Sequence, residues 1–202
     1  MLKNFIKHLL IVSSILILVG CKDKNPYDCN LDKQILSFND SLMNQDDFKE
    51  GYDRILNTVE EPDMEQCDTK TFRLINSHSW DFDIWSYRFE KQSEGGLLTI
   101  KKTYTEAYKE FEGVNDTILI RNLTTEEWEE IENTFESNCF WTMQIGIDRR
   151  GLDGGVYWLE AYDPLAVNPT EKKYFTAARW SPEKGTAFDN ICNTIFEIAY
   201  TE

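Results

Sequence analysis

Polar and apolar residues alternate along the middle of this chain, which is the pattern of half-buried β-strands. Trp85, Tyr87 and Phe89 share one face of such a strand, and a second alternating run follows the turn at Gly95-Gly96. Successive side chains of a strand point to opposite faces of the sheet. The pattern therefore predicts a β-hairpin over residues 83–104.

Three further regions have strand character. One begins at Phe72, where helical spacing gives way to alternation, and another is the aliphatic run at 118–121. The third is a pair of runs, 156–162 and 174–180, separated by a polar loop with two prolines. Short connections between successive strands favour antiparallel hairpins.

Apolar residues recur every three or four positions in four other segments, as they do on the buried face of an amphipathic helix. The predicted helices are 31–38, 48–59, 125–138 and 188–199. The third is the clearest, because Thr124 and Glu127 have the spacing of a capping box and Leu123 is placed to pack on Trp128. Hairpins flanked by helices predict the α+β class: an antiparallel β-sheet of hairpins with flanking helices, in a single domain at residues 31–202.

The N-terminus has the order of a bacterial signal peptide. Lys3 and Lys7 precede an apolar stretch at residues 9–19, and the small residue Gly20 precedes Cys21. This apolar stretch is too short to cross a bilayer as a stop-transfer helix. The alternatives are an uncleaved anchor and a short buried helix.

The string Leu18-Val19-Gly20-Cys21 resembles the lipobox of bacterial lipoproteins. The resemblance implies that the Cys21 thiol carries a diacylglyceryl group and that cleavage makes Cys21 the first residue. Residues 1–20 are then a signal peptide and 21–30 a tether, so that acyl chains hold the protein on a membrane. Lys22, where an aspartate would indicate retention in the inner membrane, favours the outer membrane of the cell envelope.

Charge narrows the choice of partner. Cleavage before Cys21 removes Lys3 and Lys7 and no acidic residue, which lowers the formal net charge of −15 by two, to −17. Nucleic acids and anionic lipid surfaces are bound by basic proteins, so neither is expected as the main partner of this acidic domain. A basic protein partner is compatible with the charge, and so is a surface that is merely well solvated.

Four cysteines follow Cys21 in the chain: Cys29, Cys67, Cys139 and Cys192. An even number of thiols in an exported protein favours disulfides, and four cysteines allow three connectivities. Chain position favours Cys139 with Cys192 and Cys29 with Cys67. Four buried free thiols are the alternative.

Few residues have the chemistry of a catalytic or metal site. His8 leaves with the signal peptide, so His78 is the one histidine of the mature chain, and its serine-flanked position is typical of a loop. The cysteines lack zinc-ligand spacing, and the aspartates lack the spacing of an EF-hand loop. We therefore expect no metal, no cofactor and no catalytic residue.

Among the acidic residues, Glu160 has the predicted position that most suggests a functional carboxylate. Glu160 is in register with Trp158 and Tyr162, and an apolar wall there could raise its pKa. An ion pair with Arg179 across the hairpin is the simpler interpretation. If a ligand or partner surface exists, we expect it to include Trp158, Glu160, Arg179 and Trp180.

Residues 117–200 resemble an uncharacterised group of bacterial proteins. The resemblance lies in Leu123-Thr124 to Trp128, Phe140-Trp141, Leu152-Asp153-Gly154, Trp158 with Glu160, and Tyr174 to Arg179-Trp180-Ser181-Pro182. The group commonly has a histidine where this chain has Phe175. Any role of that histidine in the group therefore does not carry over to this chain. The resemblance implies a shared fold and names no reaction.

The same residues have structural interpretations. Ser181 and Pro182 are expected to begin the last helix as its cap and first residue. The leading functional hypothesis is a lipid-anchored, non-catalytic envelope protein that binds a protein or ligand, with an immunity-type lipoprotein that neutralises a basic toxin as its specific form. The alternative is a carboxylate-dependent hydrolase of envelope polymer, which needs Glu160 and a second carboxylate in an open cleft.

Overall fold

A computed structural model describes Cys29, Ile35 and residues 46–78, 83–146 and 154–201. The predicted signal peptide, most of the tether, the predicted 31–38 helix apart from Ile35, and the Asp153 part of a predicted turn lie outside the described residues. Within the described residues, the protein is an α+β fold with one antiparallel sheet and flanking helices, as the sequence predicts.

Ten helices and strands make up this described part. The helices are α1 (Asp46–Val59), α2 (Glu106–Glu112), α3 (Thr125–Ser137) and α4 (Ala187–Ala199). The strands are β1 (Thr71–His78), β2 (Asp83–Lys91), β3 (Gly96–Tyr104), β4 (Thr117–Leu123), β5 (Gly155–Tyr162) and β6 (Tyr174–Trp180). Single 3-10 turns lie at Met64–Gln66 and Phe140–Thr142.

The strands form one six-stranded sheet in the order β4-β3-β2-β1-β5-β6. Both predicted strand pairs form: β2 pairs with β3, and β5 pairs with β6. The chain returns to the sheet through β5, which lies beside β1 rather than beside β4. As a result β4 and β6 are the two edge strands.

The main hydrophobic core lies between one face of the sheet and helices α3 and α4. Alternate residues of the central strands, such as Phe72, Leu74 and Leu159, point into it. From the helices, the buried apolar residues Trp128, Ile131, Phe135, Phe188, Ile191 and Ile195 cover that face. Apolar burial of this kind is the dominant favourable contribution to folding.

The opposite face of the sheet has a smaller apolar cluster below α1. Val59, Ile75 and Trp158 are buried there, and Tyr52 and Ile55 of α1 pack against them. Charged and hydroxyl side chains occupy the rest of this face. The two faces therefore differ: one holds the core, and the other holds a smaller cluster beside buried polar groups.

The capping box that the sequence predicts for α3 is formed. The amide N–H of Glu127 donates to Thr124 Oγ1 at 3.2 Å, and the N–H of Thr124 donates to a Glu127 carboxylate oxygen at 2.8 Å. Leu123 and Trp128 are both buried in the main core. Two helix N–H groups that would otherwise lack partners are thereby satisfied.

The last helix covers the predicted range 188–199 to within one residue, but the predicted roles of Ser181 and Pro182 as its cap and first residue were wrong. Helix α4 begins at Ala187, and its cap is Thr186, whose side chain accepts the N–H of Asp189. Ser181 instead continues the β5–β6 pairing, because its N–H donates to the carbonyl of Gly155 at 2.8 Å. A Ser-Pro pair can begin a helix, but here the backbone of Ser181 is already hydrogen-bonded to the sheet.

Candidate functional site

The residues predicted to share a surface lie on both faces of the sheet. In the β5–β6 register, Trp158 is opposite Ala178 and Tyr157 is opposite Arg179. Because neighbouring residues of a strand point to opposite faces, Arg179 is separated by the sheet from Trp158 and Glu160. Trp180 is half-buried at the end of β6. The four residues therefore do not form one contiguous surface.

Glu160 forms its ion pair with Arg73, so the predicted pair with Arg179 was wrong. Arg73 of β1 lies directly opposite Glu160, and its Nε donates to Glu160 Oε2 at 2.6 Å. The hydroxyl of Tyr174 donates to Glu160 Oε1 at 2.8 Å, and the hydroxyl of Tyr52 donates to the same oxygen. Both oxygens of this buried carboxylate are thus hydrogen-bonded.

A second buried carboxylate extends the cluster across β1, β2 and β3. Glu61 Oε2 accepts from Arg73 at 3.4 Å and from Arg88 at 3.2 Å. Its Oε1 lies 3.3 Å from the Nζ of Lys101. We call these seven residues the polar cluster: Tyr52, Glu61, Arg73, Arg88, Lys101, Glu160 and Tyr174.

The ionisation of the cluster follows from burial and from its neighbours. Burial, together with the nearby Glu160 carboxylate, holds the pKa of the hydroxyls of Tyr52 and Tyr174 well above the usual value. Both tyrosines therefore remain protonated donors. Burial lowers the pKa of Arg73, but Glu160, Tyr52 and Glu61 together outweigh burial and raise that pKa above its ordinary value.

The polar cluster is poorly placed to act on a polymer. The side chains of Glu160 and Glu61 have 0% exposed surface, and both are paired with Arg73. A glycosidase needs one carboxyl that can protonate a leaving group and a second that can reach the sugar or a water. Neither oxygen of Glu160 is available for that chemistry. The cluster is better explained as a structural contact that holds α1 and the segment after it on the sheet.

Arg179 is held by backbone carbonyls. Its guanidinium donates to the carbonyl oxygens of Ile145, Ala178 and Gln144 at 2.9, 2.7 and 2.6 Å. It also lies over the ring of Phe188, 5.1 Å from the ring centroid. Burial lowers the pKa of Arg179 to about 10. Its contacts attach the segment that ends at Gly146 to strand β6.

Among the described cysteines, Cys29 and Cys139 form a disulfide, and their Cα atoms are 5.1 Å apart. The predicted pairs, Cys139 with Cys192 and Cys29 with Cys67, were both wrong. Cys192 is buried in the main core on α4, and Cys67 is half-buried after the first 3-10 turn. Cys139 follows α3, as predicted, but it joins the tether to the domain.

A cavity of about 260 Å³ adjoins this disulfide. Cys29 and Cys139 line it together with Trp141, Val167 and Pro169. A second cavity, of about 200 Å³, lies beside Arg179 and Trp180 near the start of α4. The two cavities are both small for a drug-sized ligand, whose pockets usually measure about 300–1,000 Å³.

Edge strand β4 presents an exposed apolar surface. Ile118, Leu119 and Ile120 are consecutive, and each is more than half exposed. Among the described strands, β4 pairs only with β3. The other edge is partly covered, because the carbonyl of Ile145 accepts the N–H of Ala178.

The sequence predicted a strand at β4 but did not predict its exposure. Three successive aliphatic residues usually indicate a strand buried on both faces, as in a parallel sheet. Only the strand order shows that this one lies at an edge. No local signal in the sequence indicated this exposure, because the absence of alternation at 118–120 favours burial.

His78 ends strand β1 and contacts Tyr157 of the neighbouring strand. The two rings meet edge to face, and the Tyr157 hydroxyl lies 3.2 Å from His78 Nε2. Across residues 46–78, 83–146 and 154–201, no three His, Cys, Asp or Glu side chains are grouped as metal ligands would be. No helix in the same part of the chain is both long and apolar enough to cross a membrane.

No family model matches the chain, and no curated protein matches it. The candidate sites are therefore argued from geometry alone. They are the buried polar cluster, the region around the disulfide and the exposed edge of β4.

Proposed function

We propose that this chain is a lipid-anchored protein of the bacterial outer membrane whose folded region binds another protein without catalysing a reaction. The lipobox-like Leu18-Val19-Gly20-Cys21, after a basic and then apolar N-terminus, supports the anchor. Binding occurs at the edge of β4, where an extended segment of the partner adds as a further strand. The open apolar edge of β4 is the observation on which this proposal rests.

An edge with these properties is unusual. Edge strands of soluble proteins are commonly protected by charged side chains, prolines, bulges or a covering segment. Strand β4 instead exposes Ile118, Leu119 and Ile120 beside backbone groups that no described strand pairs. In strand addition, main-chain hydrogen bonds provide affinity and alternate side chains provide specificity. An open backbone edge and exposed aliphatic side chains are what that mode requires.

Charge selects a basic partner segment. Helix α2 leads into β4, and its exposed residues include Glu106, Glu110 and Glu112. The formal net charge after cleavage at Cys21 is −17. Opposite charge accelerates association and disfavours acidic competitors. A small basic toxin neutralised by an immunity-type lipoprotein is the specific form of this proposal.

We do not favour the hydrolase alternative. It requires an accessible Glu160, whereas that carboxylate accepts hydrogen bonds from Arg73, Tyr52 and Tyr174 and is fully buried. Opening the site would break a buried ion pair, which costs about 3–5 kcal/mol when one partner is lost.

A double substitution on the β4 edge tests the proposal. The full-length protein in detergent micelles is used to capture proteins from the organism's envelope and secreted fractions, and captured proteins are identified by mass spectrometry. We expect Ile118→Lys with Ile120→Lys to weaken capture of the partner at least tenfold, because lysines there oppose apolar pairing and repel a basic segment. Asn133→Lys with Ser137→Lys, at two exposed positions of helix α3, is the control that adds the same charge away from β4.

Hydrogen exchange distinguishes strand addition from other contacts at this edge. Addition of a strand should slow exchange of outward-facing amides in β4, residues 117–123, when the partner is bound. A partner that is captured equally by the wild type and the double variant, or that leaves β4 exchange unchanged, contradicts the proposal.

A further inference from the structure

The loop between β5 and β6 presents a second exposed apolar group. Leu165 and Val167 are 79% and 71% exposed, and they flank Ala166, whose φ is 53°. Single exposed aliphatic side chains are common on soluble proteins. Two of them on one short loop, next to the attachment point of the tether, require a more specific explanation.

Hydrogen bonds within the loop fix the position of these side chains. The N–H of Asp163 donates to the carbonyl of Lys173 at 2.7 Å, and the N–H of Leu165 donates to the Asp163 side chain at 2.9 Å. The side-chain amide of Asn168 donates to the carbonyl of Lys172 at 2.7 Å. The loop therefore presents Leu165 and Val167 from a defined backbone, at a small entropic cost on binding.

The loop lies beside the disulfide. Val167 and Pro169 line the same cavity as Cys29 and Cys139. The point where the tether joins the domain and the exposed aliphatic residues thus belong to one end of the molecule.

Tether length then limits how far this end can be from the membrane. Cys29 lies eight positions after Cys21, and a fully extended chain spans at most about 3.6 Å per residue, or about 29 Å over these eight steps. A flexible chain of that length has an r.m.s. end-to-end distance of about 16 Å.

We propose that Leu165 and Val167 insert into the interfacial region of the lipid bilayer to which Cys21 is acylated. This inference rests on the proposed lipid anchor and names a second contact with the same membrane. The contact is apolar, because a domain of charge −17 gains nothing from anionic headgroups. It leaves β4 available for a partner, because β4 lies four strands from β5, about 19 Å at ordinary strand spacing.

Photo-crosslinking from the bilayer tests the contact. The full-length acylated protein is reconstituted into vesicles of phosphatidylcholine and phosphatidylethanolamine that contain a phospholipid with a photoactivatable group high in one acyl chain. After irradiation and proteolysis, mass spectrometry measures lipid attached to each peptide. We expect the peptide with Leu165 and Val167 to carry at least tenfold more lipid than the peptide with Phe111, which is equally exposed but distant in the chain.

Substitutions provide the matched control. Leu165→Glu with Val167→Glu should reduce crosslinking of the loop at least tenfold, whereas Phe111→Glu should leave it unchanged. Equal labelling of the loop and Phe111 peptides, or labelling of the loop that survives both glutamates, overturns the inference.

Failure of the anchor is seen separately in the same samples. The mass of the N-terminal peptide shows whether Cys21 carries acyl chains. An unmodified Cys21 contradicts the anchor and with it this contact. An acylated Cys21 without loop labelling contradicts the contact alone.

Discussion

At the scale of single residues, burial changes the role expected of Glu160. Its side chain is fully buried, yet it remains paired with Arg73 and accepts hydrogen bonds from Tyr174 and Tyr52. A buried ion pair contributes little net stability relative to apolar residues, but removal of one partner leaves a charge in a low-dielectric interior. Glu160 is therefore expected to be structurally essential rather than reactive.

Substitution of this residue gives the first stability prediction. Glu160→Gln should lower the free energy of unfolding by about 3–5 kcal/mol, because Arg73 is left buried without its principal counter-charge. Denaturant titration followed by tryptophan fluorescence measures the change. Glu50→Gln, which removes a solvent-exposed ion pair with Arg54, should have almost no effect.

A double-mutant cycle makes this result specific. Arg73→Met combined with Glu160→Leu should cost clearly less than the sum of the two single substitutions, since neither charge is then left alone. Additive costs would show that the pair does not couple in the folded protein.

At the scale of elements, the capping box that the sequence predicts for helix α3 is formed in the folded protein. Thr124 and Glu127 form the capping box, and Arg121 at the end of β4 donates to Glu127 at 2.8 Å. Arg121, whose hydrogen bond is the largest cause, lowers the pKa of Glu127 below its ordinary value of 4.5. The helix cap thus also links α3 to the edge strand.

This shift predicts a pH-dependent contribution to stability. Because the folded-state pKa of Glu127 is lower than its unfolded-state pKa, the unfolded chain binds more protons between the two values. The contribution is fully present above about pH 4.5 and is lost as pH falls through the lowered folded-state pKa.

Glu127→Gln tests that prediction, because glutamine retains the capping geometry without the charge. The stability difference between wild type and variant, measured by urea titration, should be largest near neutral pH and should vanish in acid. Glu126→Gln is a control one residue away on the same helix turn. A difference for Glu127→Gln that is independent of pH would contradict the assigned role of the charge.

At the scale of the whole molecule, the disulfide determines how the domain is attached. Cys29 and Cys139 are separated by 110 residues, so their bond closes most of the fold into one loop. The same bond leaves seven residues between Cys29 and the predicted lipid attachment site, Cys21. Global stability therefore depends on one covalent link, and so does the distance that the proposed lipid anchor allows between domain and membrane.

Loss of this link gives the final prediction. In the chain-entropy account, closing a loop of about 100 residues contributes about 4.7 kcal/mol. Replacing Cys29 and Cys139 together with serine should lower the free energy of unfolding by an amount of this order, as measured by denaturant titration. Cys67→Ser, at a half-buried thiol outside the disulfide, should have a much smaller effect.

Thiol counting checks the pairing independently. In the unfolded, unreduced protein, alkylation should modify Cys67 and Cys192 but neither Cys29 nor Cys139. Labelling of Cys29 without prior reduction would contradict the observed bond.

The residues that the sequence located correctly are those whose signal is local. The hairpin of β2 and β3, the pair of β5 and β6, and the α3 cap all depend on neighbours within about twenty residues. The candidate site was harder to predict, because Arg73 and Tyr52 contact Glu160 from 87 and 108 residues away. The spacing of residues along the chain does not indicate contacts between residues so far apart in sequence.

The sequence by itself determined the α+β class, most of the strands, the capped helix and the predicted lipid attachment at Cys21. Alternation, helical spacing and capping are short-range effects, and a lipobox is recognised as a linear string. The tertiary structure decided which cysteines pair, which partner Glu160 has and which strand lies exposed at the edge. Those outcomes depend on strand order, because the insertion of β5 beside β1 brings Glu160 to Arg73 and leaves β4 at the edge.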